Sequence, residues 1–307
     1  MNFVGFDTSN YTTSVAYFNG NGGMNCSKLL PVKQGELGLR QSDAVFAHIK
    51  GLPELSGRLF SHISAESIGA VGVSTRPRAV DGSYMPCFMV GYTHAKLLSD
   101  ALHVPLFEFS HQQGHVAASL WSAGHLELMD EPHLAWHLSG GTTELLLVEP
   151  EGKNVRCTKI GGTTDISAGQ LIDRTGKLLE LPFPSGKHLD AISHNAKGRE
   201  VFKVKCPEME FSLSGVQNKV EAFYRNNNDS DETAAYALRC VCAAVLQASK
   251  NALKAYPGLR IVFSGGVASN SMLRRELEAL NPIFSEPQYS TDNAMGVAVL
   301  TARAMEG

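Results

Sequence analysis

The chain carries one local pattern twice. Phe3 to Phe6 is apolar, Asp7-Thr8-Ser9-Asn10 is polar turn chemistry, and Thr12 to Phe18 is rich in strand formers before Asn19-Gly20-Asn21-Gly22-Gly23 breaks it. Leu134 to Leu138, Ser139-Gly140-Gly141-Thr142-Thr143-Glu144 and Leu145 to Val148 then repeat the sequence strand, small-residue turn, strand. A hairpin that recurs in this way restricts the fold to two related α/β lobes facing each other across a cleft. The length of 307 residues argues for two lobes or one large α/β unit, and a hydrophobic content of 43% is enough to build a sizeable core. The boundary is expected between about Leu106 and Pro132.

Helices and further strands fill the space around the two hairpins. Periodicity predicts a helix from about Ser42 to Ile63, interrupted near Gly51-Leu52-Pro53, a buried strand from Ile68 to Ser74, a helix from Phe88 to Leu102 and a strand from Pro105 to Phe109. In the second half, helices are predicted over Ile166 to Leu179, Ser214 to Tyr224 and Asp231 to Ala255. The strand Arg260 to Phe263 leads into Ser264-Gly265-Gly266-Val267-Ala268-Ser269-Asn270, and a helix begins near Ser271.

Charge and cysteine usage exclude several classes. A net charge of −3 rules out a generally basic nucleic-acid-coating protein, because phosphate binding needs a concentrated positive surface. The six cysteines form no C-x-x-C pair, so neither a zinc knuckle nor a disulfide framework is expected. Asp7 arrives too early for a signal peptide, and no apolar run reaches the ~20 residues of a bilayer span. A cytoplasmic protein with no membrane partner is expected.

Three groups of residues could carry chemistry. The glycines gather in pairs, at Gly140-Gly141, Gly161-Gly162 and Gly265-Gly266, where a backbone can approach a ligand closely. In Ser139-Gly140-Gly141-Thr142-Thr143 the amides and hydroxyls can cradle phosphate, and an ordinary glycine-rich hairpin is the alternative. The turn from Ser264 to Asn270 again follows a strand and opens a helix, a place that favours an anionic or polar nucleotide moiety. His111 and His115 are spaced i, i+4 and share one helical face if Gly114 does not break the turn, so they could share a divalent metal. None of the three residues between them is the Glu of a metalloprotease motif, so the pair lacks that general base, and a third ligand is needed. Asp292 qualifies if the chain returns there. Asp173 could accept from ribose hydroxyls or pair with Lys177 along its helix.

Taken in order, these segments resemble the TsaD family of tRNA N6-threonylcarbamoyladenosine transferases, formerly called O-sialoglycoprotein endopeptidases, within the actin-like ATPase superfamily. The carrying residues are Gly5-Phe6-Asp7-Thr8-Ser9, His111-x-x-Gly114-His115, Ser139-Gly140-Gly141-Thr142, Asp165 through Lys177, Pro184-Ser185-Gly186, Phe211 to Gly215, Gly265-Gly266-Val267-x-x-Asn270 and Thr291-Asp292-Asn293. The resemblance implies an actin-like α/β fold with mixed sheets around an interlobe cleft. It sets an N-terminal lobe of residues 1–110, completed by 292–307, against a C-terminal lobe of 111–291. It also implies that His111, His115 and Asp292 hold one divalent metal, iron or zinc. Ser139, Gly140, Gly141, Thr142 and Thr143 would contact phosphate or carbamoyl groups, while Asp173, Gly186 and Asn270 would line the pocket of an adenine nucleotide, ATP, ADP or an acyl-adenylate. The implied reaction is attack by N6 of an adenosine in tRNA, or in another nucleoside-containing acceptor, on threonylcarbamoyl-AMP. Protein partners of the tRNA-threonylcarbamoylation type are implied as well.

The chain departs from the family at identifiable places. Asn10-Tyr11-Thr12-Thr13 stands where the family has Cys-Asp-Glu-Thr, so Tyr11 and Thr12 occupy the places of the acidic pair. Thr142 replaces a His, Gln113 replaces a Glu, and Arg76-Pro77-Arg78 replaces a Gly-Pro-Gly turn. These changes predict a divergent paralogue that keeps metal and nucleotide. The alternative is a non-catalytic or altered-specificity ATP- or ADP-binding subunit that holds a partner. In the divergent transferase Tyr11 is expected to face the interlobe cleft; otherwise it packs on the first lobe as an ordinary strand residue.

Overall fold

The computed structural model of the protein describes residues 1–9, 11–31 and 39–306. Contacts divide the chain into two compact units: Met1–Glu131 with Glu149–Cys157 and Asp292–Gly307, and Pro132–Val148 with Thr158–Thr291. No helix among the described residues is long and apolar enough to cross a membrane.

The first unit is built on a five-stranded sheet in the order β3-β2-β1-β4-β5. Its strands are β1 (Asn2–Asp7), β2 (Thr12–Phe18), β3 (Gly23–Leu29), β4 (Ile68–Arg76) and β5 (Leu106–Ser110). β1 pairs antiparallel with β2, Phe3 opposite Phe18 and Asp7 opposite Ser14, and β2 pairs antiparallel with β3. On its other edge β1 runs parallel to β4, and β4 parallel to β5. Val4, Phe6, Val15, Val71 and Val73 form its core with Leu52, Leu55 and Leu59 of α1 (Gln41–Phe60).

The second unit repeats this arrangement. Its sheet, β11-β10-β6-β7-β8-β9, contains β6 (His133–Leu138), β7 (Thr143–Glu151), β8 (Asn154–Thr163), β9 (Glu210–Phe211), β10 (Ile261–Ser264) and β11 (Ile283–Phe284), although the end of β7 and the start of β8, within Glu149–Cys157, are grouped with the first unit. The hairpin β6-β7 takes the place of β1-β2, β8 that of β3, and the parallel strands β10 and β11 those of β4 and β5, with β9 added at the edge. The repeat read in the two hairpins is therefore a repeat of whole sheets. The core of this unit gathers Trp136, Leu138, Leu145, Phe211 and Phe263 under α4 (Ala168–Leu178), α6 (Ser214–Asn227) and α7 (Ser230–Ala255). Trp136 donates its indole N–H to Ser249 Oγ at 2.8 Å, which satisfies the one polar atom of that buried ring.

One sequence expectation needs correction. α1 runs without a break through Pro53. Proline there removes one helical hydrogen bond, but the fully buried face of Leu52, Leu55 and Leu59 on either side supplies enough packing to carry the helix through. The contact division begins the second unit at Pro132, at the far end of the expected range Leu106 to Pro132 and later than residue 111. The reason is α3 (His111–Ser122), which packs on α9 (Met295–Met305), as the close approach of Gly296 to Gly114 and Ala118 shows.

Candidate metal centre and glycine-turn site

In the first unit, polar side chains collect where the parallel strands end. β1 ends at Asp7, and β4 places Ser74 beside it. β5 ends at Ser110, which caps α3 so that His111 is the first helical residue. The cap is reciprocal: Ser110 Oγ accepts from Gln113 N at 3.2 Å and Ser110 N donates to Gln113 Oε1 at 2.9 Å. Gln113 Nε2 also donates to Val155 O at 2.8 Å. α3 continues through Gly114, which settles the condition set on the His pair.

The imidazoles of His111 and His115 meet edge-on, with their Nε2 atoms 2.8 Å apart. Asp292 returns to them from the far end of the chain, its Oδ1 3.2 Å from His115 Nε2 and 3.5 Å from His111 Nε2. The three ligand atoms all lie within 4.8 Å of one another. On the opposite edge of the His111 ring, Nδ1 lies 2.7 Å from Asp7 Oδ2. Asp7 is only 1% exposed, and it also accepts from Ser74 Oγ at 2.9 Å and from Ser9 N at 2.9 Å.

The charge states follow from burial and these contacts. Burial alone would raise the Asp7 carboxyl, but the adjoining His111 and the donors of Ser9 hold it below its ordinary value. Burial opposes the charged form of His111 too, and the two carboxylates prevail, pushing it up to about 10. His115 is lowered, by burial and then by the His111 charge. Asp292 is held far below the carboxylate range despite its burial, because both imidazoles face it. At neutral pH the group thus contains two carboxylates and one imidazolium, a net single negative charge. A divalent cation that replaces the His111 proton would bring it to neutrality. Two imidazole nitrogens and one carboxylate oxygen form a donor set that suits iron or zinc, so the residues fit an ion of that kind.

The second unit holds the remaining candidates. Between β6 and β7 the turn closes through Ser139 N to Thr142 O (2.8 Å) and Thr142 N to Ser139 Oγ (3.0 Å). Ser167 Oγ donates to Gly140 O (2.6 Å) and Ala168 N to Thr143 Oγ1 (2.8 Å), which fixes the turn to the start of α4. Asp173 of α4 accepts from Ser185 N at 2.8 Å rather than serving Lys177, and burial raises its carboxyl. Gly186 opens α5 (Gly186–Ser193). Asn270 caps α8 (Ser271–Leu277), accepting from Leu273 N at 2.9 Å.

The glycine pairs differ in what they do. A Cβ at Gly161 would lie 2.5 Å from Met209 O, one at Gly162 would meet Thr143 O, and one at Gly265, where φ is 90°, would meet Leu138 O. These glycines are required by backbone approaching backbone inside the unit, not by a ligand. Of the six glycines in these three pairs, Gly140 and Gly141 are the two at which an added Cβ meets nothing within 4 Å. The stretch after Ser264 enters a single 3₁₀ turn, Gly266–Ser269, before α8 begins, so it does not open a long helix directly.

The TsaD family model, tRNA N6-adenosine threonylcarbamoyltransferase, matches residues 38–299. The chain belongs to this family. The tRNA N6-adenosine threonylcarbamoyltransferase of Carboxydothermus hydrogenoformans is 31% identical over 264 residues, covering 82% of this chain and 75% of that protein. The one from Lactococcus lactis subsp. cremoris is 32% identical over 234 residues, covering 71% of this chain and 64% of its own length, slightly less than two thirds. Among solved structures, T. kodakarensis HypF superposes on 100% of this chain with a TM-score of 0.65 at 13% identity, using 48% of its own length. Component A of the Acidaminococcus fermentans (R)-2-hydroxyglutaryl-CoA dehydratase gives 0.60 at 14% identity, over 99% of both chains. The ROK hexokinase of Thermus thermophilus gives 0.53 at 14% identity over both full chains. At such identities these likenesses speak for the fold, which is the actin-like ATPase fold.

Within the TsaD family frame, one departure has a local explanation. Gln113 keeps the accepting oxygen that the helix cap uses and adds an amide donor for Val155 O. Tyr11 is half-buried at the turn between β1 and β2, its carbonyl accepting from Leu30 N at 2.7 Å, and Thr12 is buried as β2 begins. Asn10 lies outside the described residues. Sequence reasoning placed Asp7 in a family motif and gave it no role in the site; its signal was a carboxylate at the end of a predicted strand. Ser74, at the end of another, was missed in the same way.

Proposed function

We propose that this chain is a TsaD-type transferase that moves a threonylcarbamoyl or related carbamoyl group from an adenylate to N6 of an adenosine in tRNA. N6 attacks the carbamoyl carbon, a C–N bond forms, the C–O bond to the phosphate breaks, and AMP leaves with the bonding pair while N6 gives up a proton. The observation that carries the reading is the convergence of His111 Nε2, His115 Nε2 and Asp292 Oδ1 in a member of this family. A bound iron or zinc ion would supply Lewis acidity and a template for the phosphate or carbonyl oxygens.

In this reading Ser139, Gly140, Gly141, Thr142 and Thr143 contact phosphate or carbamoyl groups. Asp173, Gly186 and Asn270 line the nucleoside pocket, Asp173 keeping one oxygen for ribose and Asn270 its amide N–H groups as donors. Tyr11 stands beside the transferred group, where its ring and hydroxyl take the place of acidic side chains. tRNA, or another nucleoside-containing acceptor, and protein partners of the threonylcarbamoylation type complete the proposal.

The test is to incubate the metal-loaded protein, tRNA and threonylcarbamoyl-AMP, with and without candidate partner proteins, and to analyse the nucleosides by mass spectrometry. Threonylcarbamoyladenosine is the expected product. The exchange of the acidic pair for Tyr11 and Thr12 favours a second reading, an ATP- or ADP-binding subunit without transfer activity. Nucleotide and metal binding without any product would select it.

Two further outcomes are expected. Gly141→Val should weaken adenine-nucleotide binding with little effect on stability, because a Cβ added there meets no protein atom within 4 Å and the side chain enters the ligand's approach. Titration calorimetry showing equal affinity would reject the phosphate-contact role. Metal binding at neutral pH should release about one proton per ion, since His111 stays protonated up to about pH 10 and its Nε2 must be bared for the ion. Affinity should therefore rise with pH, and titrations in buffers of different ionisation enthalpy read the proton count directly.

A further inference from the structure

Asp7 lies outside the proposed ligand set, yet it touches that set directly through His111. Its carboxylate is buried, and three donors converge on it: Ser9 N on Oδ1, and Ser74 Oγ and His111 Nδ1 on Oδ2. Its oxygens therefore have little freedom to turn. His111, by contrast, begins its helix and is linked to Asp7 by the ring edge that points away from His115 and Asp292. The Asp7 contact at Nδ1 opposes rotation of that ring.

We infer that Asp7 is the positioning residue of the metal centre: it holds the Nδ1–H of His111, fixes that tautomer and ring orientation, and so presents Nε2 to a divalent cation with raised basicity. The inference rests on the metal-ligand reading of His111, His115 and Asp292 given above. Ser74 and the Ser9 amide act one step further out, by holding the carboxylate itself. Asp7 cannot join the ligands directly in this geometry, because its oxygen faces the opposite edge of the imidazole from the converging atoms.

Asp7→Asn is a sharp test, since an amide cannot reproduce a group that accepts on both oxygens. Whichever way it is turned, its NH2 faces a donor. Zn2+ affinity is measured by competition with a chromophoric chelator, and Co2+ is added as a spectroscopic probe, at temperatures well below unfolding of each variant. Asp7→Asn is expected to lose about 10- to 100-fold in Zn2+ affinity and to alter the visible Co2+ bands. Ser74→Ala, which keeps the charge and loses one support, should show a smaller loss in the same direction, and it decides the matter if Asp7→Asn does not fold. Variants of lowered thermal stability but unchanged Zn2+ affinity and Co2+ spectrum would overturn the inference and leave Asp7 a structural residue. Wild-type protein that binds neither ion would instead overturn the ligand reading beneath it.

Discussion

The His111→Ala/Asp292→Ala variant is expected to purify without bound metal and to lose roughly a thousandfold or more in transfer rate, the several kcal/mol that a Lewis-acid centre contributes. His115 would be the only remaining ligand of the three, and one imidazole does not retain a divalent ion against buffer. The structure adds a stability term. Removing His111 leaves Asp7 as a buried carboxylate without its imidazolium, at a cost of about 3 kcal/mol. Asp292→Ala alone leaves the Asp7–His111 pair in place, so it should fold normally and still lose most of its metal. Elemental analysis of both variants, with circular dichroism as the fold control, separates the two effects. Unchanged metal stoichiometry in the double variant would end the site assignment.

Much of this arrangement could be read from local sequence, because the decisive signals are short-range. Strand residues Phe3 to Phe6 and Leu134 to Leu138 announce their hairpins, Phe88 to Leu102 is a helix at the predicted bounds, and the i, i+4 spacing of His111 and His115 needs only an unbroken helical turn. β3 and β8 were not legible. Asn25-Cys26-Ser27-Lys28 and Arg156-Cys157-Thr158-Lys159 alternate weakly, and their strand state comes from pairing with β2 and β7. The α1 interruption at Pro53 was misread for a similar reason: local propensity lost to packing of Leu52, Leu55 and Leu59. In the site, Asp292 could be named only on the condition that the chain returns to the His pair, because 177 residues separate it from His115 and no local spacing joins them. Asp7 and Ser74 entered only when β1 and β4 were seen to run side by side. Glycine pairs were the least reliable guide. A doublet signals close approach, but Gly162 and Gly265 approach carbonyls of their own unit, and sequence does not say what is approached.

Gly296→Ala is expected to destabilise the first unit by about 3 kcal/mol and to weaken metal binding at the same time, although residue 296 touches no ligand. α9 crosses α3 at closest approach where Gly296 faces Gly114. A Cβ at 296 would collide with the Gly114 carbonyl oxygen, come within 2.7 Å of its carbon and lie 2.8 Å from Ala118 N. All three are helix backbone atoms and cannot turn aside as a side chain would. The opposite face of α9 offers no retreat, because a Cβ on Gly5 of β1 would already lie 2.6 Å from Ala298 N. The helices must therefore separate, and they carry the proposed ligands: His111 and His115 flank Gly114, and Asp292 lies three residues before the start of α9. Gly114→Ala is the matched contrast. Its Cβ would meet chiefly Val297 Cγ2, at 3.3 Å, a methyl that can shift by a few tenths of an ångström, and alanine in a helix interior gains up to about 1 kcal/mol over glycine. Thermal unfolding and zinc titration on the two variants should thus diverge, with Gly296→Ala impaired in both and Gly114→Ala close to wild type. Equal behaviour of the pair would show that the α3–α9 contact does not set the ligand geometry.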